Sequence, residues 1–526
     1  MHKLNSASRR GLSLISKLVF VAVGLSAHFY AQAQILDIEE KYSFSQTPCW
    51  FSTNPEWSRI DCGTLLVPEN YDDPNSRAVE LPVVVVYPYE LASDKFPLVF
   101  AGGGGPGNAL SIASEGLYEF GESAWYSVFY STVNSGRKLV LIDNRGVGQS
   151  KPNLNCPEVE TSSIIALDKN LDDVASLQLY GDSLRACKER LEAEGVDLSQ
   201  YQIENAAHDL EALRIALGEE KINVLGVSYG SRVALVYEKT YPDSVRALVL
   251  DGVYPPWVKS FEEMARQNED SIQGLFRACN ANTQCAKRFG LLLEAEFQDA
   301  LDRLSESPVQ LTITSPVNLK PIRVQLTPQL LVGVIWGAMY YEWEYARLPL
   351  VVKSVINGNT DMIAELVRLY LVNTLTIESL DEGAYASYTC FDEVPFANFS
   401  AINEQLSELY YQAYLNSEYV AAEQEMCRIW QVPSASPDFK ERHEVKAPTL
   451  LLSGQLDPAT PPVWADEVSR QSRKAWSKTW LNLGHNVLSS ADCADELAAR
   501  FLDSPEAVPF DLDCVAQEFE MNFVQY

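Results

Sequence analysis

Short apolar runs separated by helical patterns recur along the first half of the chain. Four of these runs lie at residues 96–101, 138–143, 222–227 and 245–251. Each has the length and the apolar composition of a buried strand, and helical segments lie between them. Regular alternation of strands and helices predicts a doubly wound, mostly parallel sheet.

Two earlier segments, 60–67 and 79–87, predict an antiparallel pair that opens the sheet. The strand pattern then lapses after the sixth strand and resumes only at Pro448. The interval is too long for a loop and contains helical stretches such as 360–369. We therefore predict a mainly helical cap inserted after the sixth strand.

These patterns predict four parts. They are a signal peptide at 1–33, the first part of an α/β core at 34–254, a helical cap at 255–442, and the second part of the core at 443–526. The last part includes a C-terminal segment rich in disulfides.

The sequence Gly-Val-Ser-Tyr-Gly at 226–230 stands between a predicted strand and the helical pattern of 231–239. A G-x-S-x-G in that position is typical of a nucleophile elbow, in which small neighbours permit the strained turn that exposes the serine. The pattern is weak by itself, because an ordinary strand-to-helix turn can contain the same residues. Ser228 is the candidate nucleophile.

A serine nucleophile needs a histidine base. The five histidines are His2, His28, His208, His443 and His485. The first two lie in the predicted signal peptide, the third fits an amphipathic helix, and the fourth lies in a charged stretch typical of surface. His485 follows a predicted strand at 478–483, where side chains at the carboxyl end of the sheet reach the site, so it is the predicted base.

The histidine in turn needs an acid, and two aspartates are candidates. Asp457 lies in a turn-rich loop after the predicted strand 448–452, in the order Ser, Asp, His along the chain. Asp251 ends the strand before the cap, where Asp-Gly also forms turns readily. Asp457 is favoured and Asp251 remains the alternative.

A run of glycines at 102–105 and 107 follows the predicted strand 96–101. Residues without side chains let backbone N–H groups approach a developing oxyanion. The alternative, a phosphate-binding loop, lacks its G-x-x-x-x-G-K-[ST] pattern. The predicted oxyanion donors are the amides of Gly104 and Tyr229.

With these motifs the chain resembles the prolyl aminopeptidase family of α/β-hydrolase serine peptidases, especially its secreted tripeptidyl-aminopeptidase branch. The matching segments are 103–107, 143–150, 226–231, 250–253, 454–461 and 484–485. One departure is Gly103, where the family usually has a histidine. That leaves open how the glycine loop is supported, but it does not affect the backbone donors.

The resemblance implies an α/β-hydrolase fold and a serine exopeptidase that cleaves peptide substrates near a free N-terminus through an acyl-enzyme. It implies no metal or cofactor. A carboxylesterase or lipase would share the same triad, and a non-catalytic binding protein is the third possibility, although such relatives usually lose a triad residue.

An aminopeptidase must recognise a free ammonium, and carboxylates in a partly desolvated pocket suit that task. The family places acids in its cap, and its secreted branch resembles the segment Cys-Phe-Asp-Glu at 390–393. Asp392 and Glu393 are therefore candidates, although acids beside a disulfide can equally lie on the surface. Five aromatic residues between 336 and 345 belong either to the cap core or to a binding wall.

The first 33 residues contain basic residues and no acid, then an apolar run at 18–25 and an Ala-Gln-Ala motif at 31–33. This pattern predicts a signal peptide cleaved before Gln34, and therefore a secreted or periplasmic protein. The run is short for a membrane anchor, so no stable anchor is expected after cleavage.

Ten cysteines in an oxidising compartment predict disulfides. Pairing of sequence neighbours gives Cys49–Cys62, Cys156–Cys187, Cys279–Cys285, Cys390–Cys427 and Cys493–Cys514, although the sequence does not determine the connectivity.

The formal charge of −30 disfavours nucleic acid and anionic membranes as partners. The oligomeric state is left open.

Overall fold

The computed structural model describes residues 42–51, 59–73, 75–92, 94–107, 131–340, 342–376, 379–491 and 493–507, together with 509, 521 and 523. Some of the predicted features lie outside the described residues. These are the signal peptide 1–33, the cleavage point before Gln34, Cys514, and the side chains of Tyr341 and Trp343.

Within the described residues, nine strands form one sheet and two more form a hairpin. The strands are β1 Ser43–Thr47, β2 Ile60–Pro68, β3 Ala78–Val86, β4 Leu98–Phe100, β5 Leu139–Ile142, β6 Ile222–Val227, β7 Val245–Asp251, β8 Val309–Thr314, β9 Pro321–Leu326, β10 Thr449–Gly454 and β11 Ala475–Trp480. The sheet order is β1-β2-β3-β5-β4-β6-β7-β10-β11.

The first three pairings, β1–β2, β2–β3 and β3–β5, are antiparallel. All other pairings in the sheet are parallel, from β5–β4 to β10–β11. The central strands are buried on both faces, which explains their continuous apolar sequences. This arrangement confirms the predicted doubly wound, mostly parallel sheet.

Strand β1 is absent from the sequence-based prediction. Its sequence, Ser-Phe-Ser-Gln-Thr, is mostly polar and exposed, because it pairs at the edge of the sheet through its backbone. As a result, the strand that precedes the predicted cap is the seventh of the structure, not the sixth. The strand before His485 also ends earlier than predicted, at Trp480, where its pairing with β10 stops.

Within the described parts of the chain, helices cover both faces of the sheet and most of the interval between β7 and β10. They are α1 Pro157–Lys169, α2 Asp173–Ala193, α3 Ile203–Ala216, α4 Tyr229–Thr240, α5 Ser260–Ala281, α6 Thr283–Phe289, α7 Leu293–Glu306, α8 Pro328–Ala338, α9 Glu342–Tyr345, α10 Leu348–Ile356, α11 Asp361–Leu375, α12 Glu382–Asp392, α13 Phe399–Leu406, α14 Gln412–Trp430, α15 Pro462–Gln471, α16 Val487–Ser490 and α17 Ala494–Asp503.

Helices α5 to α14 and the hairpin β8–β9 lie between β7 and β10 along the chain. Many of their apolar side chains form a cluster of their own, which includes Phe276, Phe297, Leu331 and Val351. Two further clusters contain the side chains of the sheet strands and the helices that pack against them. The boundaries of the cap at 255 and 442 remain predictions.

Four of the five predicted disulfides are present: Cys49–Cys62, Cys156–Cys187, Cys279–Cys285 and Cys390–Cys427. The fifth is not tested, because Cys514 lies outside the described residues. Four disulfides fit an oxidising compartment. None of the helices in the described part of the chain combines the length and the apolar character needed to cross a membrane.

Candidate active site

Ser228 occupies a strained turn between β6 and α4. Its backbone angles are φ 55° and ψ −124°, a conformation that costs free energy for a residue with a side chain. The flanking glycines are sterically required: a Cβ at Gly226 would collide with the backbone of Gly230, and one at Gly230 would collide with the Gly102 carbonyl. The G-x-S-x-G motif is thus accounted for by close backbone approach.

The backbone around Ser228 is fixed on both sides of the turn. Its N–H donates to the Asp251 carbonyl at 2.9 Å, and its carbonyl accepts from the Ser231 hydroxyl at 2.6 Å. The residue is 8% exposed. The nucleophile candidate therefore has a defined position and a narrow path to solvent.

Asp457 and His485 form a buried pair. The Asp457 Oδ2 atom lies 2.8 Å from Nδ1 of His485 and accepts the Thr460 hydroxyl at 2.7 Å. Its Oδ1 atom accepts the N–H groups of Ala459 and Thr460, each at 2.8 Å. These donors hold the carboxylate in one orientation, so the imidazole is aligned with its Nε2 atom free of this contact.

The charge balance of this pair favours a protonated imidazole. Burial, the largest single cause, lowers the pKa of His485, but the Asp457 carboxylate, its hydrogen bond and the charge of Asp251 together raise it by more. The net effect is a His485 pKa above its ordinary value. A base of this kind can hold the proton that it takes from a serine.

Ser228 and His485 border the same two residues at the end of β7. Asp251 accepts the Ser228 N–H, and a Cβ placed on the next residue, Gly252, would lie 2.9 Å from the His485 ring. Gly252 also has φ +60°, which favours glycine. The serine turn and the histidine ring therefore each lie next to the end of β7, at a position where only glycine fits beside the ring.

Asp251, the alternative acid, is used differently. Its carboxylate accepts the N–H groups of Val487 at 3.1 Å and Leu488 at 2.8 Å, and it is fully buried. The carboxylate oxygen that lies 2.8 Å from Nδ1 of His485, and accepts its N–H, belongs to Asp457. The geometry thus supports Asp457 as the acid.

The two residues predicted to supply the oxyanion donors, Gly104 and Tyr229, are hydrogen-bonded to each other. The Tyr229 N–H donates to the Gly104 carbonyl at 3.1 Å, and Gly104 has φ +74°. A carbonyl oxygen therefore occupies the position in which the Tyr229 amide would receive an oxyanion. This feature was not predicted, because a glycine run does not reveal the direction of its peptide groups.

The glycine loop is supported by the segment that leads into α12. The Asp381 N–H donates to the Gly107 carbonyl at 2.8 Å, and the Asp381 carboxylate accepts the Gly148 N–H at 2.7 Å. A Cβ at Gly107 would lie 2.8 Å from the Asp381 carbonyl. These contacts support the loop in a chain that has Gly103 in place of the family's histidine.

Asp392 is the last residue of α12 and is fully buried beside Tyr229, the residue that follows Ser228. Its Oδ2 atom accepts the Tyr229 hydroxyl at 2.7 Å and lies 3.4 Å from Nη1 of Arg232. Its Oδ1 atom has no hydrogen-bond partner among the described residues. Burial raises the pKa of Asp392, against the opposing effect of Arg232.

Glu393 is already neutralised by neighbouring cations. It forms ion pairs with Arg232 and with Lys440, the latter at 3.0 Å, and accepts the Ser260 hydroxyl at 2.8 Å. Burial by itself would raise the pKa of Glu393, but Arg232 and Lys440 hold it below its ordinary value. Of the two predicted acids, Asp392 alone retains an unpartnered oxygen within the described residues.

Two aromatic residues of the cap contact the acid and base loops. The Trp336 indole donates to the Pro458 carbonyl at 3.2 Å, and the Tyr340 ring packs edge-on against His485 at 5.0 Å. Tyr345 instead is buried in the cap core. The sequence placed all three in one cluster and did not distinguish these positions.

The other two described histidines lie in other parts of the fold. His208 belongs to α3, and its Nδ1 atom lies 2.6 Å from the Tyr241 hydroxyl. His443 is partly buried against Trp257, not solvated as the charged stretch predicted, and burial lowers its pKa to about 4.

Comparison with known proteins gives two matching family profiles, one described as alpha/beta hydrolase fold at residues 98–319 and one as TAP-like protein at 412–514. Serine protease Hip1 of Mycobacterium tuberculosis is 25% identical over 95% of this chain and 96% of its own length. A tripeptidyl aminopeptidase of Streptomyces lividans is 25% identical over 88% of this chain and 86% of its own. A crystal structure of proline iminopeptidase from Mycobacterium smegmatis matches with 15% identity and a TM-score of 0.36, over 84% of this chain and 98% of that chain.

The parallel sheet, the strained serine after β6 and the matching hydrolase profile define an α/β hydrolase. Within that class, the chain is similar to serine peptidases and tripeptidyl aminopeptidases along most of its length. The protein is a serine hydrolase of the peptidase type.

Proposed function

We propose that this protein is an exopeptidase that hydrolyses peptide bonds near a free N-terminus, of the prolyl or tripeptidyl aminopeptidase type. The main support is the buried Asp457–His485 pair beside the strained turn of Ser228. The tripeptidyl aminopeptidase name of a relative that aligns over most of both chains adds to it.

In the proposed reaction, the Ser228 hydroxyl attacks the scissile carbonyl and gives its proton to Nε2 of His485. Asp457 stabilises the resulting imidazolium through Nδ1. The C–N bond then breaks, the leaving amine takes the proton from His485, and the N-terminal fragment stays on Ser228 as an ester. A water molecule, deprotonated by His485, hydrolyses that ester and restores the serine.

The tetrahedral intermediate needs donors for its oxyanion, and we assign this role to the Gly104 and Tyr229 amides. Because the Tyr229 N–H is bound to the Gly104 carbonyl in this structure, that hydrogen bond has to break first. Rotation of the peptide between Gly104 and Gly105 would turn the carbonyl away. The same rotation would bring the Gly105 N–H toward the site as a further donor beside the two assigned ones, since C=O and N–H point in opposite directions in a trans peptide.

Recognition of the substrate's ammonium is assigned to Asp392, with Glu393 as its neighbour. An unpartnered buried carboxylate oxygen costs about 1–3 kcal/mol, which a bound ammonium would relieve. The Tyr229 hydroxyl and Arg232 hold the other oxygen of Asp392. Glu393, paired with Arg232 and Lys440, would mainly keep these groups in place.

The decisive experiment compares peptide arylamides with free and with acetylated N-termini, across proline, alanine and tripeptide acyl groups. An aminopeptidase should lose at least about 10-fold in kcat/KM on acetylation, because the charge-assisted contact is lost. Equal turnover of both forms would contradict the proposal. Faster turnover of simple acyl esters than of any arylamide would instead favour the carboxylesterase alternative.

We also propose that the protein is secreted or periplasmic and that its signal peptide is cleaved before Gln34. The four disulfides support an oxidising compartment. Intact-mass measurement with and without reduction tests both statements. A mass that retains residues 1–33, or thiols that alkylate before reduction, would contradict them.

A further inference from the structure

Asp251 lies at the centre of the site without being the proposed acid. It is the last residue of β7, between Val227 of β6 and Leu452 of β10, and it is fully buried. A buried carboxylate in the middle of a sheet is unfavourable unless it is hydrogen-bonded. Its partners therefore indicate its role.

The backbone of Asp251 holds the nucleophile turn, because its carbonyl accepts the Ser228 N–H at 2.9 Å. Its side chain holds the histidine loop, because the carboxylate accepts the N–H groups of Val487 and Leu488. These two residues follow His485 after Asn486, which has φ +63°. One residue thus fastens the segments that carry the serine and the histidine.

We propose that Asp251 is a positioning residue of this hydrolase, which fixes the distance between Ser228 and His485 by binding one segment through its backbone and the other through its side chain. The proposal rests on the assignment of Ser228 and His485 as nucleophile and base. Gly252 completes the arrangement, since a Cβ there would press on the His485 ring at 2.9 Å.

Asp251 also acts on His485 through its charge. The groups that face this region are Asp251 on β7, Asp457 after β10, and Tyr340 of the cap, which packs on the His485 ring. Burial raises the pKa of Asp251 to about 6, and its negative charge is one of the causes that raise the pKa of His485. Removal of this negative charge should lower the pKa of His485.

The test measures the rate of fluorophosphonate labelling and kcat/KM against pH for Asp251→Asn and Asp251→Glu. Misplacement of the base by about 1 Å can cost about 10²-fold, so both variants should label and turn over about 10–100-fold more slowly with little change in KM. In Asp251→Asn, the acid limb of the profile should move to lower pH. In Asp251→Glu, which keeps the charge, the midpoint should stay near that of the wild type.

Asp495→Asn is the matched control. Asp495 is another largely buried carboxylate that accepts a backbone N–H, from Ser131 at 2.6 Å. Its variant should lose stability without a change in the pH midpoint, as a purely structural role would predict.

Wild-type rate and midpoint in Asp251→Asn would overturn the proposal. If that variant does not fold, the Glu variant decides: slower labelling at an unchanged midpoint supports the positioning role, and a wild-type rate refutes it. A crippling Asp251→Asn combined with a mild Asp457→Asn would make Asp251 the triad acid instead. Labelling involves no peptide, so these outcomes are independent of whether the enzyme is an aminopeptidase.

Discussion

The two halves of the candidate site differ in how ready they are for catalysis. On the acid–base half, Asp457 is held by two backbone N–H groups and the Thr460 hydroxyl, and it is already bonded to His485. On the proposed oxyanion half, the Tyr229 amide is bonded to the Gly104 carbonyl, which occupies the position proposed for the oxyanion. The first half is assembled, whereas the second is closed on itself.

This difference follows from the type of group that each half uses. Side chains such as Asp457 and His485 are fixed by several directed hydrogen bonds at the ends of β10 and β11. The oxyanion half instead depends on a loop of glycines, in which a peptide group can rotate with little steric resistance. We therefore expect variants of the acid–base half to impair chemistry directly, and variants of the glycine loop to impair a rearrangement that precedes it.

Ser228→Ala should have the largest effect, because both halves act through the serine. We expect kcat to fall roughly 10⁴-fold or more, while substrate still binds. Steady-state kinetics and equilibrium binding of a peptide check this. Labelling of the variant by a fluorophosphonate at the wild-type level would show that the nucleophile lies elsewhere.

Asp457→Asn tests whether the assembled half depends on this one hydrogen bond. An amide in place of the carboxylate favours the wrong imidazole tautomer, so kcat should fall roughly 10³–10⁴-fold with the fold intact. The pKa of His485 should fall as well, because Asp457 raises it. The acid limb of the pH profile should then move to lower pH, and an unmoved limb would count against the pairing.

The assembled half was predictable from the sequence because side-chain identity determines it. Ser228, Asp457 and His485 each follow a predicted strand, and parallel strands bring their carboxyl ends to one edge of the sheet. The doubly wound sheet was also predictable, since short apolar runs that alternate with helices are compatible with few other folds. Strand β1 was not, because its pairing depends on backbone groups and its sequence is polar.

The conformation of the closed half could not be predicted from the sequence. A glycine run predicts close backbone approach but not whether N–H or C=O points inward. Likewise, Asp392 and Glu393 are equivalent in sequence, and only packing shows that Glu393 is paired with Arg232 and Lys440. The contact of Tyr340 with His485 also depends on how the cap folds over the sheet.

Asp392→Asn tests whether the acid beside the closed half recognises the substrate's amine. Loss of a charge-assisted contact of ~1.5–3 kcal/mol should reduce kcat/KM for free N-termini by about 10–150-fold. Turnover of acyl esters without an amine should change much less. An equal loss on both substrates would mean that Asp392 acts through Tyr229, whose hydroxyl it binds, and not on the ammonium.

Gly105→Ala should have the smallest effect and is the sharpest test of the closed half. Gly105 is exposed and is not in the left-handed region in this structure, so its backbone conformation is open to alanine. Rotation of the peptide between Gly104 and Gly105 reverses the sign of φ at 105. That conformation costs alanine about 1–2 kcal/mol, and more before a proline such as Pro106, so kcat/KM should fall at least about 5–30-fold.

Two measurements separate a blocked rotation from general damage to the loop. The melting temperature of Gly105→Ala should stay at the wild-type value, while its affinity for a boronate that mimics the oxyanion should fall in parallel with kcat/KM. Gly103→Ala is the control, because a Cβ there meets Phe100 and Val227 at ordinary distances of 3.4 and 3.5 Å, outside the rotating peptide. Equal losses in both variants would refute the rotation, since only residue 105 has to change the sign of φ.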